Sequence, residues 1–183
     1  MALDHPDGLD WTETARDVHA DTLRLARLDE QRIRRSPVDL AAVCESVAAR
    51  YGAARVPVRA DAPSACLVTG DPDALGRLLV NLLDNAVRHA TSAVSVSVHA
   101  EDGWAVLVVD DDGPGIPAED TERAFGRFSR LDDARSRDSS DDSQGSGLGL
   151  AIVRATAEAH GGSVTLGDAG PGLRAVVRVP LPG

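Results

Sequence analysis

Residues 71–90, DPDALGRLLVNLLDNAVRHA, limit the possible folds of this chain more than any other stretch. Asp71 is suited to accept the first free N–H groups of a helix. Pro72 fits the first helical position, where its missing donor leaves nothing unpaired. The spacing predicts one long helix. Two strands follow it, SAVSVSVHA and WAVLVVDD, joined by the turn EDG. The first alternates small polar residues with Val, so one face is buried and the other half exposed. A central helix feeding a hairpin calls for a sheet with helices laid against one side.

The flanking segments fit that plan. A helical period runs from Trp11 to about Arg34, with Val18, Thr22, Leu25 and Leu28 near one stripe, and Pro37 stops it. A second helix is expected over about Val38–Tyr51, with Leu40, Val43, Val47 and Ala48 inward. VPVRA and ACLVT read as short strands. Beyond the hairpin come a short helix near Glu119–Phe128, a polar stretch without period, a helix over about Leu148–Ala159, and strands SVTLGD and LRAVVRVPL. The expectation is an α+β fold: a two-layer α/β sandwich, its mixed sheet covered by helices on one face, with an extra N-terminal helix. Aromatics make up only 3% of the chain, so Leu, Val, Ile and Ala must build the core.

Charge narrows the function. The net charge of −10 disfavours nucleic acid and anionic membranes as partners. No apolar run approaches the ~18 residues of a membrane-spanning helix and no signal peptide is visible, so a cytoplasmic location is expected. Cys44 and Cys66 lack metal-ligand spacing and read as buried free thiols.

Three clusters carry chemistry. Asn81, Asn85, Arg88 and His89 share one helix face by their spacing. That face is either a polar solvent surface or a site where an Asn carbonyl ligates Mg²⁺ and Arg88 meets phosphate oxygens. In VVDDDGPGIP, a strand runs into three acids and two glycines. A carboxylate there could take a hydrogen bond from an exocyclic amine, with Gly113 and Gly115 passing close to a flat ring, or the segment is an ordinary acidic turn. In GSGLGLAI, Gly145, Gly147 and Gly149 precede a helix start, where backbone N–H groups and the helix dipole favour an anion. A tight turn would use the same glycines. Neither a P-loop nor a dinucleotide fingerprint is present, since the chain contains no Lys and the glycine run follows a polar loop.

Taken in order, NLLDNAVRH resembles the N box, DDGPGIP the first glycine box, FGRFSR the phenylalanine box and GSGLGLAI the second glycine box of bacterial sensor histidine kinases. AHGGSV is similar to their closing segment. The resemblance covers about residues 36–181 and implies the Bergerat-type ATP-binding fold, shared with gyrase and mismatch-repair ATPases. It implies ATP and Mg²⁺ as ligands, with Asn85 as the metal ligand and Asn81 one turn earlier on the nucleotide side. Arg88 would contact phosphates, and His89 would lie against the nucleotide. Asp111 would receive the adenine amino group beside Gly113 and Gly115. Gly145, Gly147, Leu148 and Gly149 would supply amides to phosphates. Phe125 and Phe128 would anchor a lid over about 129–146, and Arg130 is a candidate for the γ-phosphate.

TLRLARLDEQ is similar to the end of the second helix of a dimerisation and phosphoacceptor hairpin, so residues 1–35 are expected to stand apart from a catalytic domain at 36–183. Neither His5 nor His19 is followed by the acid and Pro of a phosphoacceptor. The resemblance therefore implies phosphoryl transfer to a histidine on a separate hairpin domain, in trans or in a parent protein, and indirectly to a response regulator. Related ATPases carry a Glu where this chain has Asn81, which cannot act as a general base, so intrinsic hydrolysis is expected to be slow. An anti-sigma-type serine kinase and a non-catalytic nucleotide-binding module are the competing readings.

Overall fold

The computed structural model describes residues 35–126 and 147–183. The expected N-terminal helix, His5, His19 and the lid span 129–146 lie outside the described residues.

The chain enters through β1 (Ser36–Asp39), which pairs antiparallel with β3 (Leu67–Gly70) in a two-stranded sheet. This corrects the expected helix start at Val38. Pro37 lies in a ladder with only one neighbour, where a missing N–H is tolerated. Asp39 is the true cap of α1 (Leu40–Ala48): its Oδ1 accepts from Ala41 N at 3.1 Å and from Cys66 N at 3.0 Å. One carboxylate thus starts the helix and fixes the approach to β3. The last expected turn of α1, Ala49–Tyr51, is 3₁₀.

The long helix, α2 (Pro72–His89), begins as its sequence dictates, with Asp71 Oδ1 accepting from Asp73 N at 2.9 Å and Ala74 N at 3.1 Å. Leu75, Leu78, Leu79, Leu82, Leu83 and Ala86 are all buried. Each full Leu burial contributes roughly 2 kcal/mol, which fixes the rotation of the helix about its axis.

The main sheet runs β2-β4-β5-β7-β6, with β2 (Val58–Asp61), β4 (Val94–Glu101), β5 (Trp104–Asp111), β6 (Ser163–Asp168) and β7 (Leu173–Pro180). β2 is parallel to β4, and the other pairs are antiparallel. Val94, Val96 and Val98, then Ala105, Leu107 and Val109, then Ala175, Val177 and Val179 bury alternate positions of three neighbouring strands. The alternation gives the sheet one inner face, against which α2 and α4 (Gly149–Ala159) pack through residues such as Leu83, Val153 and Ala157. The α+β two-layer sandwich is therefore as expected. A one-turn helix, α3 (Thr121–Ala124), follows a 3₁₀ turn where a longer helix reaching Phe128 was expected.

His160 joins the two helices at the end remote from Asp111. It is buried, its Nδ1–H donates to Thr156 O at 2.7 Å, and its Nε2 accepts from Asp71 N at 3.1 Å. The glycine two residues on is required by space: a Cβ on Gly162 would lie 1.9 Å from Arg178 O.

Cys44 and Cys66 are free and buried. Burial, with Glu45 nearby, pushes the Cys44 thiol up to about 11, and burial with Asp39 raises that of Cys66. We expect the native chain at pH 8 to react with an aromatic disulfide reagent about 100-fold more slowly than free cysteine. Both thiols should appear on denaturation. Prompt native labelling would contradict this packing. No helix among the described residues is long and apolar enough to cross a membrane.

Candidate functional site

Burial of Leu82, Leu83 and Ala86 fixes the rotation of α2, and Asn81, Asn85, Arg88 and His89 lie along the flank beside the buried stripe. Both Asn residues and His89 are half-buried, and Arg88 is exposed. Tyr51 steadies the helix midway: its hydroxyl donates to Asp84 Oδ1 at 2.6 Å, which together with burial raises the phenol well above its usual range.

Asp111 ends β5 and is 5% exposed. Its Oδ1 accepts from Gly113 N at 2.8 Å and from Leu173 N at 3.4 Å. Among the described residues, no donor is bonded to its Oδ2. A buried carboxylate with one oxygen fixed by the protein and one left over is poised to accept from a ligand N–H.

Backbone contact explains the glycines around it. A Cβ on Gly113 would lie 2.3 Å from His89 O, so the loop after β5 rests directly on the end of α2. Gly172 has φ +107°, and a Cβ there would lie 1.8 Å from Asp111 O. The β6–β7 turn thus closes on Asp111 from the other side, a part of the site that sequence reasoning missed. The only sequence signal was the unusual glycine content of GDAGPGL.

Gly147, at φ +69°, and buried Leu148 lead into α4. Among the described residues no side chain caps this helix start, which leaves its first N–H groups suited to an anion. The start lies beside α2: a Cβ on Gly149 would be 3.6 Å from Asn81 Oδ1. Phe125 is buried under the guanidinium of Arg154, 3.8 Å from its ring centroid, and Arg154 also pairs with Glu122 at 2.8 Å. That stack ties the segment after α3 to α4.

The structure therefore brings Asn81 to Gly149, and His89 and Asp111 to Gly113, while Gly115 (φ +69°) meets the β6–β7 turn at Gly172. Asn85 and Arg88 share the α2 face between these contacts. Arg130, Gly145 and Phe128 lie outside the described residues. Among the described residues no cluster of three or more His, Cys, Asp or Glu side chains could hold a metal. A divalent ion here would combine an Asn oxygen with oxygens of the ligand itself, a donor set that suits Mg²⁺.

Comparison with known proteins agrees with this fold. Residues 70–183 match the family described as histidine kinase-, DNA gyrase B-, and HSP90-like ATPase. The chain is 41% identical over 168 residues to the sensor protein CutS of Streptomyces coelicolor, covering 87% of this chain and 39% of CutS. It is 40% identical over 141 residues to the sensor histidine kinase component HK1 of Mycobacterium tuberculosis, covering 75% of this chain and 80% of HK1. Among solved structures, full-length ShkA superposes with a TM-score of 0.76 at 27% identity, over 89% of this chain and 35% of that one. The chain thus spans about two-fifths of the length of sensor proteins such as CutS. With fold, motif order and relatives in agreement, the chain belongs to the histidine kinase-, DNA gyrase B- and HSP90-like ATPase family, as an ATP-binding domain of the sensor-histidine-kinase type.

Proposed function

We propose that this domain binds Mg·ATP between α2, the Asp111 loop and the start of α4, and transfers the γ-phosphoryl group to a histidine on a helical hairpin domain. The observation that carries the reading is Asp111, with Oδ1 engaged by Gly113 and Leu173 and Oδ2 left for the adenine amino group. Gly113 and Gly115 flank the base, and His89 lies against the nucleotide. Asn85 offers its carbonyl oxygen to the metal, and Arg88 contacts phosphate oxygens. Gly147, Leu148 and Gly149 supply N–H groups at the positive end of α4, and Gly145 and Arg130, outside the described residues, keep the phosphate-binding roles that the sequence resemblance implies. Mg²⁺, when bound, neutralises charge on the phosphates as the transferred group develops.

Asn81 sits at the foot of α4, where a carboxylate could have drawn a proton from water, and its amide cannot. Positioning and charge neutralisation then favour a nucleophile that needs no deprotonation by this domain, which a histidine imidazole provides. The sensor-kinase relatives support the acceptor class, and full-length ShkA is a complex with AMPPNP. No histidine of this chain carries the acid and Pro expected of a phosphoacceptor. We therefore place the acceptor on another domain, in the same parent protein or in trans, with a response regulator as the next recipient and the cytoplasm as the compartment. HK1, itself named a component, supports action as a separate subunit.

The test is incubation of the full chain with γ-labelled ATP and candidate hairpin domains. An acid-labile, alkali-stable phosphoprotein on the hairpin is expected, with little phosphate released when the hairpin is omitted. An acid-stable phosphoester would point to a serine kinase, and rapid ATP turnover without an acceptor would contradict the role given to Asn81.

A further inference from the structure

The backbone that leaves α2 and enters β4, residues 87–93, is gripped by opposite charges on its two kinds of polar group. Arg55 Nη2 donates to the carbonyl oxygens of Val87 at 2.7 Å, Ala90 at 2.5 Å and Arg88 at 3.4 Å. Those are helix-end carbonyls that lack partners within the helix. On the other side, the Asp112 carboxylate accepts from the backbone N–H groups of Thr91 at 2.9 Å, Ser92 at 2.9 Å and Ala93 at 3.1 Å, and from the Ser92 hydroxyl. Together these bonds hold its carboxyl well below the usual carboxylate range. Asp112 is the residue between Asp111 and Gly113, and Gly113 is itself in backbone contact with His89. The loop bearing the adenine acceptor and the end of the helix bearing Asn85 are therefore one clasped unit.

We infer that Arg55 and Asp112 are positioning residues for the nucleotide: they set the spacing between Asp111 and the Asn85–Arg88 face, so that base and metal–phosphate ends are held at once. The inference rests on the site proposed above. Neither residue contacts nucleotide in that arrangement, and each acts through the backbone it holds. Loss of the clasp leaves Asp111 with its own bonds to Gly113 and Leu173, so the base end survives while the phosphate end drifts. A displacement on the order of 1 Å is enough to cost tenfold or more when both ends must bind together.

The experiment is calorimetric titration of the full chain with ADP, in Mg²⁺ and in EDTA, for Asp112→Ala, Asp112→Asn and Arg55→Ala. Asp112→Ala and Arg55→Ala should each weaken Mg·ADP about tenfold, and Mg-free ADP by no more than about twofold. Asp112→Asn should bind within about twofold of wild type, because its amide oxygen can take the same backbone donors and its NH₂ can donate to Ser92. Equal losses with and without Mg²⁺ would indicate a merely structural role and overturn the inference, as would failure of Asp112→Asn to restore binding. If Asp112→Ala does not fold, the Arg55→Ala and Asp112→Asn results still decide. Wild-type affinity in Asp112→Ala beside a loss in Asp111→Asn overturns the clasp alone. Wild-type affinity in Asp111→Asn overturns the site and the clasp with it.

Discussion

Asp111→Asn is expected to weaken ATP binding by about 100-fold while shifting the melting temperature by only a few degrees. The substitution is isosteric, and the amide oxygen can keep the Oδ1 bonds from Gly113 N and Leu173 N. What it changes is the second oxygen, which becomes an NH₂ donor aimed at a ligand amine that is also a donor. A charge-assisted hydrogen bond to the ligand is worth about 1.5–3 kcal/mol, and replacing it with two opposed donors leaves both without an acceptor. Titration of a fluorescent ATP analogue, with a thermal melt of the same sample, reads both quantities. Unchanged affinity would remove Asp111 from the site. A large fall in melting temperature would show that the residue serves the loop and not the ligand.

Asn85→Ala should lower phosphoryl transfer to a hairpin acceptor by at least about 100-fold and abolish the Mg²⁺ dependence of nucleotide affinity. Asn85 is half-buried on a helix whose rotation is fixed by Leu82, Leu83 and Ala86, so removing its side chain leaves the packing intact. Among the described residues no cluster of three or more acids, histidines or cysteines stands ready to hold the metal in its place. Mg-free ADP should bind Asn85→Ala and wild type equally. A variant that retained its Mg²⁺ dependence would move the metal ligand elsewhere, and Asn81 would be the first alternative, being one turn away beside Gly149.

The fold was legible where local chemistry and global packing agree. Asp71 and Pro72 announce α2, and the Val alternation announces β4 with its inner face. β1 was not legible, because Pro37 reads as a helix stop and its pairing partner, Leu67–Gly70, lies far along the chain. Strand pairing across such a distance leaves no local period to detect. The site divides in the same way. Side chains with distinctive chemistry, Asn81, Asn85 and Asp111, could be picked out from residue type and spacing. Contacts made by backbone could not: Gly172 against Asp111 and Gly113 against His89 depend on the meeting of remote turns. Asp112 was visible as one of three acids, yet its role emerges only when Thr91, Ser92 and Ala93 are seen pointing their N–H groups at it.

The most direct test of the account is a crystal structure of the full chain with Mg²⁺ and AMPPNP. The account predicts the adenine amino nitrogen about 2.9 Å from Asp111 Oδ2, the Asn85 carbonyl oxygen on the metal, and the phosphates at the N-terminus of α4. Nucleotide bound with its base away from Asp111, or with the metal held by residues other than Asn85, would contradict it.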